Sequence, residues 1–184
     1  MVTNNSQLFD IVNEKGDDEL LICSLIKIDN IVNHSEFIPI IVKWFYDEWY
    51  TSYLDFGLDN LDKAIFDFEK SIQRENLPVC YVGYINNTVV GTIGLDFKDT
   101  PNNLDHIDKG IPWVVDVFVS KDFRNKGVAK ELIKFIIEKA KELKFDSLYL
   151  WTVDQQDLYK QFGWVEIEKI MYLGELYSLM LNKF

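Results

Sequence analysis

One stretch constrains the fold more than any other: Val114 to Ala129, VVDVFVSKDFRNKGVA. Val114, Val115, Val117, Phe118 and Val119 are β-branched or aromatic and predict a buried strand, and Ser120 to Lys126 is a polar turn. From Val128 onward, Ala129, Leu132, Ile133, Ile136, Ile137, Ala140 and Leu143 recur at helical spacing, so the turn opens directly onto a helix N-terminus. The first amides of a helix have no acceptor within the helix and point outward with the positive end of the macrodipole behind them, which makes a pyrophosphate a natural ligand there. Gly127 and Ala129 leave that backbone bare, and Arg124, Lys126 and Lys130 surround it with cationic donors. The residues expected around such a phosphate are therefore Arg124, Asn125, Lys126, Gly127, Val128, Ala129 and Lys130.

Strand, glycine turn and helix also occur in nucleotide-binding folds, but the chain has neither G-x-G-x-x-G nor G-x-x-x-x-G-K-[ST] at this turn. The arrangement Arg124-x-x-Gly127-x-Ala129 after a hydrophobic strand instead resembles the GNAT superfamily of acyl-CoA-dependent N-acetyltransferases. A second motif follows in register. Ser147 to Asp154 reads as a strand, and Gln155 to Trp164 as a short helix closed by glycine; within it Leu158-Tyr159-Lys-Gln-Phe-Gly163-Trp164 is similar to the family's F/Y-Y-x-x-x-G-F/W in order and spacing. Pro112-Trp113 at the start of the cofactor strand and the early Trp44 to Trp49 helix resemble one bacterial subgroup in particular.

The resemblance covers residues 20 to 184 and leaves 1–19 as an N-terminal extension or irregular segment. It implies a single-domain α/β GNAT-like fold, with a mixed, mostly antiparallel sheet of about six or seven strands flanked by helices and splayed central parallel strands.

Composition fits one compact domain: 184 residues, 48% hydrophobic and 15% aromatic. The apolar runs, such as Phe37 to Ile41 and Trp113 to Val115, fall far short of the roughly 20 residues of a membrane span. The first fifteen residues lack the basic and apolar regions of a signal peptide, so the expected location is cytoplasmic, with no membrane partner. Cys23 and Cys80 lie in strand-like apolar runs and read as buried free thiols. His34 and His106 stand isolated in polar surroundings, and no metal is expected.

Along the chain, a strand is expected around Leu21 to Ile28, a helix from Ser35 or Pro39 through Trp49, and a second helix from Leu58 to Gln73. Strands at Val79 to Ile85 and Thr88 to Phe97 flank the hairpin signal Asn86-Asn87. Lys98 to Gly110 is a loop long enough to be functional. The cofactor strand, a helix to Lys144, the Ser147 strand, the short helix and a final strand pair across Tyr172-Leu-Gly174 complete the order.

Acyl transfer to an amine requires a thioester held beside a neutral amine, donors for the developing oxyanion and a proton for the departing thiolate. The resemblance implies acetyl-CoA as the acyl donor, with the backbone of Val117, Phe118 and Val119 holding its pantetheine arm. It also implies Tyr159 as the acid that protonates the sulfur; a phenol, with a pKa of about 10, stays protonated at neutral pH. A tyrosine packed between helix and sheet is the alternative. Asp116 is a carboxylate inside an apolar strand, where an unpaired charge is costly. It reads as the general base or as a structural ion pair, with Asp154 and Asp157 as other acceptors. Asp154-Gln155-Gln156 stands where the family often has an Asn that contacts the cofactor, so the resemblance does not carry that contact over to this chain.

Trp44, Phe45, Tyr46, Trp49, Tyr50 and Tyr53, interleaved with Asp47, Glu48 and Asp55, exceed what one helix face buries. Trp44, Trp49 and Asp154 are therefore the expected acceptor-binding side chains, by ring faces and carboxylate. The formal charge of −11 divides into +4 for Lys121 to Lys144 and −15 for the remainder. A basic cradle suits phosphates, and an acidic remainder attracts cations and repels nucleic acid. The expected acceptor is a small-molecule or peptide-borne primary amine, cationic in character, and the expected assembly a monomer or homodimer. A non-catalytic acyl-CoA sensor, or an interaction module using the aromatic patch, is the competing class.

Overall fold

The computed structural model describes residues 18–74, 76–97, 107 and 110–184. The N-terminal segment before residue 18, His106 and most of the Lys98 to Gly110 loop lie outside the described residues.

The chain begins with helix α1 (Asp18–Leu25) and a short strand β1 (Lys27–Asn30). This corrects the expected strand at Leu21 to Ile28, and it places Cys23 in a helix. Within this largely apolar segment, Ile22 and Ile26 sit four residues apart and both pack into the main core. The Ile26 amide also donates to the Ile22 carbonyl at 3.0 Å, so the run winds rather than extends. His34 is likewise not isolated: its Nε2 lies 3.1 Å from Asp29 Oδ2 and its Nδ1 3.6 Å from Glu36 Oε1.

Helix α2 (Ile38–Glu48) carries Pro39 in its first turn, where no amide is needed. It ends at Trp49, whose φ of −114° breaks the helical path before α3 (Tyr50–Asp55). Helix α4 (Leu61–Ser71) is capped by Asn60, whose side chain accepts from the Lys63 amide at 3.0 Å.

Strands β2 (Val79–Ile85) and β3 (Thr88–Asp96) form the expected hairpin, with Asn86 and Asn87 at φ 47° and 64° supplying the two left-handed residues of its turn. Then come β4 (Trp113–Val119), α5 (Val128–Glu142), β5 (Ser147–Thr152), α6 (Gln156–Lys160), β6 (Val165–Tyr172) and β7 (Glu175–Lys183).

The seven strands make one sheet in the order β1-β2-β3-β4-β5-β7-β6, antiparallel throughout except for β4 and β5. One face packs on α5, where Val114, Leu132, Ile133, Ile136, Leu148 and Met180 share the main core. On the other face α2 and α4 cover Cys80, Val82 and Phe118, while Trp113, Tyr149, Ile170 and Leu179 cluster with the buried Ile107. Gly91 sets the helix close to the sheet, since a Cβ there would stand 2.8 Å from the Phe118 carbonyl oxygen and 3.0 Å from Leu132 Cδ1. No helix among the described residues is long and apolar enough to cross a membrane.

Candidate active site

The parallel pair at the centre of the sheet opens as soon as it forms. Trp113 and Tyr149 are the one registered pair between β4 and β5, reinforced by the Tyr149 amide donating to the Pro112 carbonyl at 2.9 Å. Beyond it β4 stays paired to β3 on its other side, Phe118 with Thr92 and Val119 with Gly91. The edge that Val117, Phe118 and Val119 turn toward β5 therefore carries no strand, and backbone groups in such an opening are available to an extended ligand.

The turn after β4 is shaped by backbone conformation. A tight turn at Lys121–Phe123 is followed by Arg124 in extended geometry, then by Asn125 at φ 60° and Gly127 at φ 78°, both left-handed. Gly127 is the residue before the first turn of α5, and no side chain caps that end, so its amides remain for a ligand. Val128 is buried and Ala129 half-buried at the start of the helix. Arg124 donates from Nε to the Val119 carbonyl at 3.1 Å and lies over the Phe118 ring, and Lys126 lies over Phe123. The cations are thus anchored around the turn, with Lys130 in the first turn of α5.

Asp116 occupies a β-bulge. Gly94 pairs with Val115 and Thr92 with Phe118, so Asp116 and Val117 together oppose Ile93. Asp116 takes φ 55°, and its carbonyl accepts from the Thr92 hydroxyl at 2.6 Å. The bulge sends its half-buried carboxylate to the face of α2 to α4, where its charge is felt by Tyr53 and Cys80. No cation pairs with it among the described residues. Burial and the neighbouring Asp96 push its pKa up to about 7. Burial also drives the Tyr53 phenol well above its ordinary value, with Asp116 adding to the shift.

Tyr159 sits on α6 in the main core, 7% exposed, its ring edge-on to Trp164 with centroids 5.8 Å apart. Burial raises its pKa further, so it is a phenol that holds its proton. Asp154 is exposed just after β5, and Asp157 pairs with Lys160 at 3.1 Å. Trp44 stacks on Phe118 at 5.2 Å and Trp49 lies 5.3 Å from Phe45, so both rings contribute to packing. Thr92 was not singled out by the sequence, where only a lone hydroxyl between Gly91 and Gly94 hinted at it, and Tyr53 entered only as a member of the aromatic cluster, not as a neighbour of Asp116. No group of three or more His, Cys, Asp or Glu among the described residues could hold a metal ion.

Against known proteins, the family model described as acetyltransferase (GNAT) family matches residues 38–164. The N-alpha-acetyltransferase 30 of Dictyostelium discoideum is 29% identical over 96 residues, 50% of this chain and 49% of that protein, so the chain spans about half the length of the curated relative it matches. Two solved structures share the fold. An acetyltransferase of the GNAT family from Staphylococcus aureus superposes with a TM-score of 0.59 at 19% identity, covering 86% of this chain and 98% of that one. An aminoglycoside 6'-N-acetyltransferase complexed with coenzyme A gives 0.65 at 10% identity, covering 85% and 96%.

Proposed function

Because the chain belongs to the acetyltransferase (GNAT) family, we propose that it is a cytoplasmic enzyme that moves an acetyl group from acetyl-CoA to a primary amine by direct attack. The observation that carries this reading is the opening of the sheet after the Trp113 and Tyr149 pair, on the same strand as a bulged carboxylate and immediately before the bare start of α5. The turn amides, Arg124, Lys126 and Lys130 bind the pyrophosphate of the donor. The free edge of Val117 to Val119 receives its extended arm by main-chain hydrogen bonds, one of which stabilises the thioester oxygen.

Asp116 is the base. With a pKa raised to about 7, it takes a proton from the incoming amine without being locked in either state near neutral pH. The amine nitrogen forms its bond to the carbonyl carbon, the carbon–sulfur bond breaks, the amine proton passes to Asp116 and the thiolate takes a proton from Tyr159. No nucleophilic side chain takes part, so no covalent enzyme intermediate forms. The acceptor is cationic in its free form: the chain outside the basic turn and helix carries −15, and the relative named above is an N-alpha-acetyltransferase.

Calorimetry with acetyl-CoA, followed by coenzyme A release over a panel of amines, tests the proposal. Binding that is abolished in a folded Gly127→Glu protein, together with amine-dependent release, is the expected result. Unchanged affinity in Gly127→Glu overturns the donor site.

A further inference from the structure

Trp151 lies on β5 two residues past Tyr149, on the far side of the opening from Asp116. Tyr172 and Tyr177 come from either side of the tight turn at Leu173-Gly174 that joins β6 to β7. The three half-buried rings meet: Trp151 is 4.6 Å from Tyr177 and 5.0 Å from Tyr172 between centroids, and the two tyrosines stand edge to face at 6.2 Å.

Register fixes which way they look. Trp151 and Tyr149 share a face of β5, and Tyr177 shares one with Leu179, so the trio continues the cluster of Trp113, Tyr149, Ile170 and Leu179. This is the face toward which Asp116 points.

Among the described residues, carboxylates gather on that face. Asp96 pairs with Trp113, Glu168 with Leu179 and Glu175 with Tyr172, so these three carboxylates stand on the same side as Asp116. Lys169 is on the opposite face, donating to Ser178 at 2.7 Å, and Lys183 is at the far end of β7, opposite Ser147. Aromatic faces beside carboxylates, in a low-dielectric opening, attract a cation and discriminate against a neutral group of equal size. The trio plays no part in the transfer chemistry, and core packing requires no carboxylate beside it.

We propose that Trp151, Tyr172 and Tyr177, with Glu175, hold a second, non-reacting cationic group of the acceptor, so that the substrate is a flexible amine with two or more cationic nitrogens. The proposal rests on the acetyl-transfer reading and on Asp116 as its base. One nitrogen reacts at Asp116 as the free amine, while the other remains an ammonium on the ring faces and sets the orientation of the chain between them.

Three amines of similar length separate charge from shape: cadaverine, aminopentanol and hexylamine. Coenzyme A release should give a kcat/KM for cadaverine about tenfold or more above the other two, carried by KM. Glu175→Gln, at an exposed position, and Trp151→Leu should each remove most of that advantage while changing kcat little. Equal kcat/KM for the three amines, or a uniform fall for all three in the variants, overturns the subsite. Release with none of the three counts against the acetyl-transfer reading instead. Calorimetry with spermidine alone then decides the subsite: an affinity about tenfold weaker in both folded variants supports it, and an unchanged affinity overturns it.

Discussion

Thr92 donates its hydroxyl to the main-chain carbonyl of Asp116 at 2.6 Å, and this bond holds the bulge that aims the Asp116 carboxylate. Thr92 is fully buried, so replacing it with valine strands that carbonyl without a donor, at a cost of about 1 to 3 kcal/mol. The expected result for Thr92→Val is a lower melting temperature, a fall in kcat and a displaced alkaline rise in the pH–rate profile. Thr92→Ser keeps the donor and should recover the profile. A Thr92→Val enzyme with a normal profile would show that the bond shapes nothing in the site.

Asp116 links activity and stability to pH in opposite directions. Its pKa in the fold is raised to about 7, whereas the unfolded chain holds an ordinary aspartate near 4. The folded protein therefore keeps the proton longer than the unfolded chain, and stability falls as pH rises from about 4 to about 7 and is level beyond. Asp116→Asn should leave stability unchanged near pH 4 and raise it by about 1 to 3 kcal/mol above pH 8, the half-buried position limiting the gain. Activity moves the other way, because only the ionised carboxylate accepts a proton. Wild-type kcat/KM should rise through about pH 7, and the variant should lose roughly 10² to 10⁴-fold. Denaturant titrations at both pH values check the first part, and a pH–rate profile the second.

The strand, turn and helix from Trp113 to Glu142 were legible because each is written locally: β-branched residues, then glycine in a polar turn, then a helical repeat. The hairpin at Asn86-Asn87 and the final strand pair were legible for the same reason. What was hidden depends on the third dimension. The apolar run at Leu21 to Ile28 has no period that tells helix from strand, and only the shared burial of Ile22 and Ile26 resolves it. The bulge at Asp116 arises from the mismatch with β3, a relation between two strands that neither carries alone. Trp44 and Trp49 pack against Phe118 and Phe45 while staying half-buried, and the density of aromatic residues along one helix does not tell which part of each ring is left for a ligand. The rings on Trp151, Tyr172 and Tyr177 are spread over 27 residues and come together only through the β5-β7-β6 order.

Gly91 tests how closely α5 must approach the sheet. A methyl group there would stand 2.8 Å from the Phe118 carbonyl oxygen, 3.0 Å from Leu132 Cδ1 and 3.3 Å from Val128 Cγ1, so both β4 and the first turn of α5 would have to move. Gly91→Ala should cost about 1 to 3 kcal/mol of stability. It should also weaken acetyl-CoA binding, because Val128 begins the helix that presents the turn amides. Calorimetry and a melting curve on the same sample check both. Full affinity in a destabilised protein would separate the spacing of α5 from the donor site.

Tyr159 packs in the core, and one atom distinguishes that role from the acid role proposed for it. Its ring fills the core against Trp164, and burial holds its proton more tightly than in water. Phenylalanine preserves the ring and removes only the hydroxyl. If the residue only packs, Tyr159→Phe leaves both stability and turnover close to wild type. If the hydroxyl protonates the departing thiolate, stability and acetyl-CoA affinity stay within a few tenths of a kcal/mol while kcat falls roughly 10² to 10⁴-fold. The loss should shrink for a donor whose thiol has a lower pKa, since such a leaving group needs less protonation. A single-turnover assay comparing acetyl-CoA with an acetyl thioester of a more acidic thiol reads that difference, and an equal loss with both donors would assign Tyr159 to the core alone.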